Sequence, residues 1–133
     1  MIARARRKAE RANLSIDFQV GVIEHLSFPD QSFDVVLSTF MMHHLPDDLK
    51  RQGLCEVVCV LKPEGRLLVV DMKGHTGPWK SCIQNQPPLM KEAGFSQVEM
   101  GETRFLGFPG FGFVRARKGP ARAGRAAQHN ANL

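Results

Sequence analysis

The 133 residues, 43% of them hydrophobic, suffice for one core and do not ask for a second domain. The formal charge of +5 sits at the ends: residues 1–12 and 115–133 hold ten Lys/Arg against one acid, whereas residues 13–114 hold eight against twelve. Every aromatic side chain falls in that acidic middle and no run reaches 18 apolar residues, so composition argues against a nucleic-acid face and against a membrane span.

In chain order, Ile2, Ala5, Ala9 and Ala12 recur at helical spacing opposite Arg4, Arg6, Arg7, Lys8 and Arg11. This predicts an amphipathic helix over 2–13 with a solvated basic face, ended by Asn13. Ile16, Phe18 and Val20 alternate with Asp17 and Gln19, which predicts a strand closing at Gly21. A loop over 22–32 comes next. Val35, Val36 and Leu37 then form a short apolar run suited to a strand buried on both faces of a parallel sheet. That strand exits through Ser38 and Thr39, two hydroxyls at a strand's carboxyl end, where ligands bind in open α/β sheets. After residues 40–45, Pro46, Asp47 and Asp48 start a helix whose Leu54, Val57, Val58 and Leu61 fall at i, i+3, i+4 and i+7. Lys62, Pro63, Glu64 and Gly65 are expected to stop it and turn the chain into a second buried strand over 66–71, ending in Asp71. Strand, helix and strand make a right-handed crossover.

Residues 73–86 show no clean period and are expected to form a loop or short helix over the strand ends. Pro87 and Pro88 suit a first helical turn, and Leu89 to Gly94 complete a short helix with a glycine cap. Residues 95–100 suit a strand. The stretch 105–114, interrupted by Gly107, Pro109, Gly110 and Gly112, suits a last strand with a bulge or hairpin bend, its Phe105, Phe108, Phe111 and Phe113 serving as core or oligomer contacts. The domain is expected over 1–115, with 116–133 a basic, frayed tail. Cys55, Cys59 and Cys82 are an odd count with no Cys-x-x-Cys pair, which fits a reducing compartment and makes the cytoplasm the default. Cys55 and Cys59 lie one helical turn apart with no third ligand nearby, so they are expected as small core residues and no metal site is expected.

The order of elements is an α/β pattern. On the run Gly21 to Phe33 with Glu24, Leu26, Phe28, Pro29 and Asp30, then Met42-His43-His44-Leu45, Val60-Leu61-Lys62-Pro63 and Gly65 to Asp71, the chain resembles the class I S-adenosylmethionine-dependent methyltransferases. It is most similar to the small-molecule branch that includes ubiquinone and menaquinone methyltransferases, over about residues 1–115. The resemblance implies a Rossmann-like, doubly wound sheet of which this chain holds the third to seventh strands, the last two antiparallel. It also implies S-adenosyl-L-methionine as cofactor and a small-molecule methyl acceptor. Gly21, Val22, Ile23 and Glu24 would lie near the adenine and Ser38 and Thr39 beside the methionine part. Phe40, Met42, His44 and Asp71 would face the substrate. His43 and His44 are candidates for a general base, although helix neighbours point about 100° apart and do not make a bidentate metal site.

Two departures from the family stand out. Nothing before Gly21 is expected to supply the family's first strand with its glycine-rich turn and following helix, and Val22 stands where the family places an acid for the adenine amino group. Ser38 and Thr39 can equally satisfy backbone at a strand end, Glu24 can be a plain loop carboxylate, and Asp71 can simply cap the segment after its strand. The expected picture is a truncated copy of the domain whose strand over 33–37 becomes an exposed apolar edge. The leading expectation is methyl transfer from S-adenosylmethionine. The alternative is a non-catalytic remnant that acts as an oligomerising or protein-interaction module through that edge.

Overall fold

The computed structural model describes residues 1–73, 83–103 and 111–120. The chain forms α1 (Ile2–Arg11), β1 (Phe33–Thr39), a 3₁₀ turn (Met42–His44), α2 (Asp47–Val60), β2 (Leu61–Met72), α3 (Gln86–Ala93), β3 (Phe95–Thr103) and β4 (Phe111–Lys118). The strands assemble as β1-β2-β4-β3. β1 and β2 are parallel, joined by α2 as their crossover, and β4 runs antiparallel to both β2 and β3. The expected α/β sheet with its last two strands antiparallel is therefore present.

Local chemistry accounts for the helices. Asp47 and Asp48 sit in the first turn of α2, where the exposed backbone N–H groups favour negative charge. Prolines at the first positions of α3 lose no hydrogen bond, and Gly94 closes that helix at φ 107°, a left-handed conformation a side chain would resist. α2 and α3 cover one face of the sheet. Leu54 and Val57 of α2, Leu89 and Met90 of α3, Leu67 and Val69 of β2, Phe95 of β3, and Val114 and Ala116 of β4 form the core between them. Burial of each large apolar side chain there contributes about 1.5–3 kcal/mol.

Several sequence expectations are corrected. Residues 14–20 form no strand: Ile16 is 51% exposed and Val20 88%, because the segment has no ladder partner and alternation specifies faces without specifying a neighbour. β1 is not buried on both faces. It is an edge strand of the described sheet, and Val35 and Leu37 stand 52% and 61% exposed on the face away from α2. Lys62 to Gly65 do not leave the sheet. β2 begins at Leu61, and its pairing with β1 jumps from Phe33↔Leu61 to Val35↔Arg66, which absorbs these residues as an irregularity. Gly65 permits it, since a Cβ there would lie 2.7 Å from the Lys62 carbonyl oxygen.

Ala116 to Lys118, expected in the tail, continue β4 opposite β2 and β3, and Ala116 is buried. Lys118 Nζ donates to the carbonyls of Val58 and Leu61 at 2.6 and 2.7 Å, so it is tied to the end of α2. Cys55 and Cys59 are exposed free thiols on the outer face of α2, not core residues, because the helical stripe of Leu54 and Val57 takes the inner face. Partial burial, with Asp30 and Glu56 nearby, still pushes the Cys59 thiol above its ordinary value. The expectations for residues 74–82 (with Cys82), for 104–110 (with Phe105 and Phe108) and for 121–133 lie outside the described residues.

Candidate functional site

Two constellations form at the carboxyl ends of β1 and β2. The first is a cavity of about 390 Å³ between residues 19–28 and the α2-facing side of β1. Its far wall is built by short-range chemistry. Val22 and His25 pair as an isolated bridge across a tight turn, and Ile23 at the tip of that turn packs on Gly53 of α2. A Cβ at Gly53 would lie 2.9 Å from the Ile23 side chain, so the close approach needs glycine. Glu56 of α2 accepts the Leu26 backbone N–H at 3.0 Å and pins the segment from the other end.

Gly21, Val22, Ile23, Ser38, Thr39 and Met42 all line this cavity. Glu24, Phe40, His43, His44 and Asp71 do not. Met42 is 1% exposed and belongs to the core, so it closes the cavity floor. Ser38 Oγ is buried with no hydrogen-bond partner among the described residues. A buried hydroxyl without a partner costs about 1–3 kcal/mol. Sequence reasoning missed Gln19, His25 and Ser27, three further polar side chains of the wall; their places on either side of the Gly21 turn were the available signal.

The second constellation is a histidine–aspartate pair. β1 stops where Phe40 takes φ 51°, a left-handed conformation uncommon for an aromatic residue, while its N–H donates to the Val70 carbonyl at 2.9 Å. The chain thus turns across the end of β2 and the 3₁₀ turn delivers His43 to Asp71. Asp71 has no exposure; Oδ2 accepts the His43 backbone N–H at 2.9 Å, and Oδ1 lies 2.6 Å from His43 Nδ1. Removing a carboxylate from water is costly unless donors replace the water, and the backbone N–H groups of His43 and Met72 do so here, with the His43 ring nitrogen alongside. His43 and His44 are not splayed apart as their helical positions suggest. Their rings lie 3.9 Å apart at a 39° tilt, because the Asp71 bond draws His43 inward and His44 lies over it. Phe40 instead meets Phe111 edge to face at 5.2 Å, across the top of β2.

A parallel β-α-β unit with a cavity of about 390 Å³ at the strand ends, lined by hydroxyls of the first strand, is a Rossmann-like arrangement. A family model described as "Methyltransferase domain" matches residues 1–69. The chain belongs to that family, the class I S-adenosylmethionine-dependent methyltransferases. A demethylmenaquinone methyltransferase of Lactobacillus johnsonii is 33% identical over 101 residues, 71% of this chain and 41% of that one. The uncharacterized methyltransferase YcgJ of Bacillus subtilis is 42% identical over 62 residues, 47% of this chain and 24% of that one. The crystal structure of YcgJ superposes with a TM-score of 0.70 at 18% identity, covering 91% of this chain and 79% of that chain. The N-methyltransferase NodS of Bradyrhizobium japonicum, solved with S-adenosylhomocysteine, gives 0.71 at 18% identity, covering 88% and 61%. The chain thus spans about a quarter to two fifths of the length of these curated relatives. No helix among the described residues is long and apolar enough to cross a membrane.

Proposed function

We propose that the cavity binds S-adenosylmethionine and that the chain takes part in moving its methyl group to a small-molecule acceptor in the cytoplasm. The observation that carries this reading is Ser38 Oγ, a buried hydroxyl lacking a partner among the described residues, in the wall of a cavity of about 390 Å³. Ligand sites typically span about 300–1,000 Å³, mostly apolar with a few placed polar groups. This wall has that character: Val20, Val22, Val36 and Leu37 offer apolar surface suited to a purine, and Ser38 and Thr39 offer hydroxyls to a polar ligand portion. The residues present therefore fit the cofactor, with Gly21, Val22 and Ile23 holding its base and Ser38 and Thr39 its amino-acid part. Bound there, the cofactor supplies an activated methyl group on a sulfonium. The protein then chiefly aligns donor and acceptor and excludes water. The free thiols Cys55 and Cys59 support a reducing compartment.

The test is calorimetric titration of the folded chain, its state checked by circular dichroism and sizing, with S-adenosylhomocysteine. Saturable binding at micromolar concentration is expected. A folded chain that binds none overturns the reading.

A second reading is favoured by one observation. β1 is the edge strand of the described sheet and its Val35 and Leu37 stand exposed, which suits association through the sheet edge.

A further inference from the structure

Side chains alternate across a strand, so while Leu67, Val114 and Ala116 face the core, Arg66, Arg115 and Arg117 stand exposed on the opposite face of the sheet. Register puts Arg66 directly across from Arg117, with Arg115 two residues along the same strand. Like charges directly opposite each other, at a Cβ separation of about 4.5–5.5 Å, are unfavourable. Carboxylates offset this unevenly. Glu99 holds Arg115 in a close ion pair, Glu64 meets Arg117 only at 3.5 Å, and Arg66 has no carboxylate partner among the described residues. The neighbouring strand adds a neutral group. β3 carries Gln97 and Val98 against the single residue Ala116, where its register with β4 jumps from Ser96↔Arg117 to Glu99↔Arg115. Val98 packs on the core, and Gln97, at φ 50°, lines a cavity of about 310 Å³ together with the three arginines. Left-handed backbone is uncommon outside glycine, and a bulge re-aims a side chain in this way. This cavity shares no lining residue with the one beside β1.

We propose that Arg66 and Arg117, with the Gln97 amide, bind the dianionic phosphate group of a small molecule, at a site separate from the cavity beside β1. A guanidinium presents paired N–H donors that match two phosphate oxygens, and two guanidinium groups on adjacent strands can share one phosphate. The anion cancels the repulsion between them and gives Arg66 the partner that the described fold withholds. Arg115 is committed to Glu99 and flanks the site. Glu64 competes for Arg117, so its carboxylate limits the affinity. A polymer of phosphates is disfavoured, since Glu64 and Glu99 stand beside the arginines and repel the phosphates on either side of a bound one.

The test is titration of the full chain, labelled with ¹⁵N-arginine, with inorganic phosphate and with glycerol 3-phosphate against sodium chloride at matched ionic strength. The side-chain Nε–Hε signals of Arg66 and Arg117 are assigned by their loss in Arg66→Gln and Arg117→Gln. Both signals are expected to shift saturably at about millimolar phosphate, and Arg66→Gln is expected to weaken binding, read at Arg117, about tenfold or more. Glu64→Gln frees Arg117 and is expected to tighten binding about twofold or more. Equal affinity for the two ligands identifies the free ion as sufficient, and tighter binding of glycerol 3-phosphate identifies a monoester; both support phosphate as the group recognised. Shifts that do not saturate, shifts reproduced by chloride, or shifts of the same size at Arg4 and Arg7 of α1 overturn the proposal. So does unchanged affinity in Arg66→Gln, or weaker binding in Glu64→Gln. An oligodeoxynucleotide bound more tightly per phosphate group through the same two arginines overturns the assignment to a small molecule.

Discussion

Ser38 and Cys59 show how far one side chain's surroundings carry chemistry. Ser38 Oγ is desolvated in the cavity wall without a described partner, so a ligand that supplies one gains a hydrogen bond at little further desolvation cost. Ser38→Leu is expected to fill that space and weaken S-adenosylhomocysteine binding about tenfold or more with the far-ultraviolet dichroism unchanged. Equal affinities in a calorimetric comparison would remove Ser38 from the site. Cys59 makes a different prediction. Burial first, then the Asp30 and Glu56 carboxylates, disfavour its thiolate, and only Lys118 opposes them. A raised value means less thiolate at a given pH, so alkylation of Cys59 by iodoacetamide, monitored by peptide mass spectrometry, should reach its half-maximal rate above the pH of a free cysteine. Glu56→Gln should bring that midpoint down. A wild-type midpoint at the free-thiol value contradicts the electrostatic account.

At the scale of elements, the carboxyl end of α2 and the end of β4 are held to each other by one ammonium. Lys118 Nζ reaches two carbonyls at the junction of α2 and β2, where helix and strand leave acceptors that the backbone does not satisfy. Lys118→Met keeps the stem and removes the donor, and is expected to lower the unfolding free energy by about 1–2 kcal/mol in urea titration. Arg117→Met, one residue earlier, loses only an exposed contact to Glu64 at 3.5 Å and should change stability by less than about 0.5 kcal/mol. Equal effects of the two substitutions would mean that the tie between β4 and α2 contributes nothing beyond a surface charge.

For the whole molecule, the decisive feature is that helices cover one face of the sheet while β1 presents Val35 and Leu37 outward at its edge. Apolar surface beside unpaired strand backbone favours association, because a second strand satisfies the backbone and buries the side chains together. Sedimentation velocity over a range of concentrations should therefore show self-association of the wild type. Val35→Lys, which places a charge on that face, should shift the population toward monomer; a wild type that stays monomeric throughout removes the second reading. Cofactor binding and association are separable at β1, since Ser38 lines the cavity whereas Val35 is exposed and does not.

Much of this was legible locally. The helical stripe of Leu54 and Val57, the paired prolines and Gly94 that bound α3, and the apolar run ending in Ser38 and Thr39 all arise from period, caps and backbone freedom, which act within a few residues. The motif likeness also pointed to Gly21, Val22, Ile23, Ser38 and Thr39, which the fold brings to one cavity. What the sequence could not convey were relations across the chain. Alternation in residues 14–20 was strand-like, but a strand exists only against a partner, and that segment has none in the sheet. The two cysteines were spaced correctly, yet which helix face turned inward depended on the sheet. Asp71 and His43 are 28 residues apart, and nothing local to either says that they meet. By itself the sequence determined the helices, the strand–helix–strand crossover and the family. The tertiary structure alone decided which strand lies at the edge of the described sheet and which nitrogen of His43 is held, because both depend on contacts made after distant segments pack.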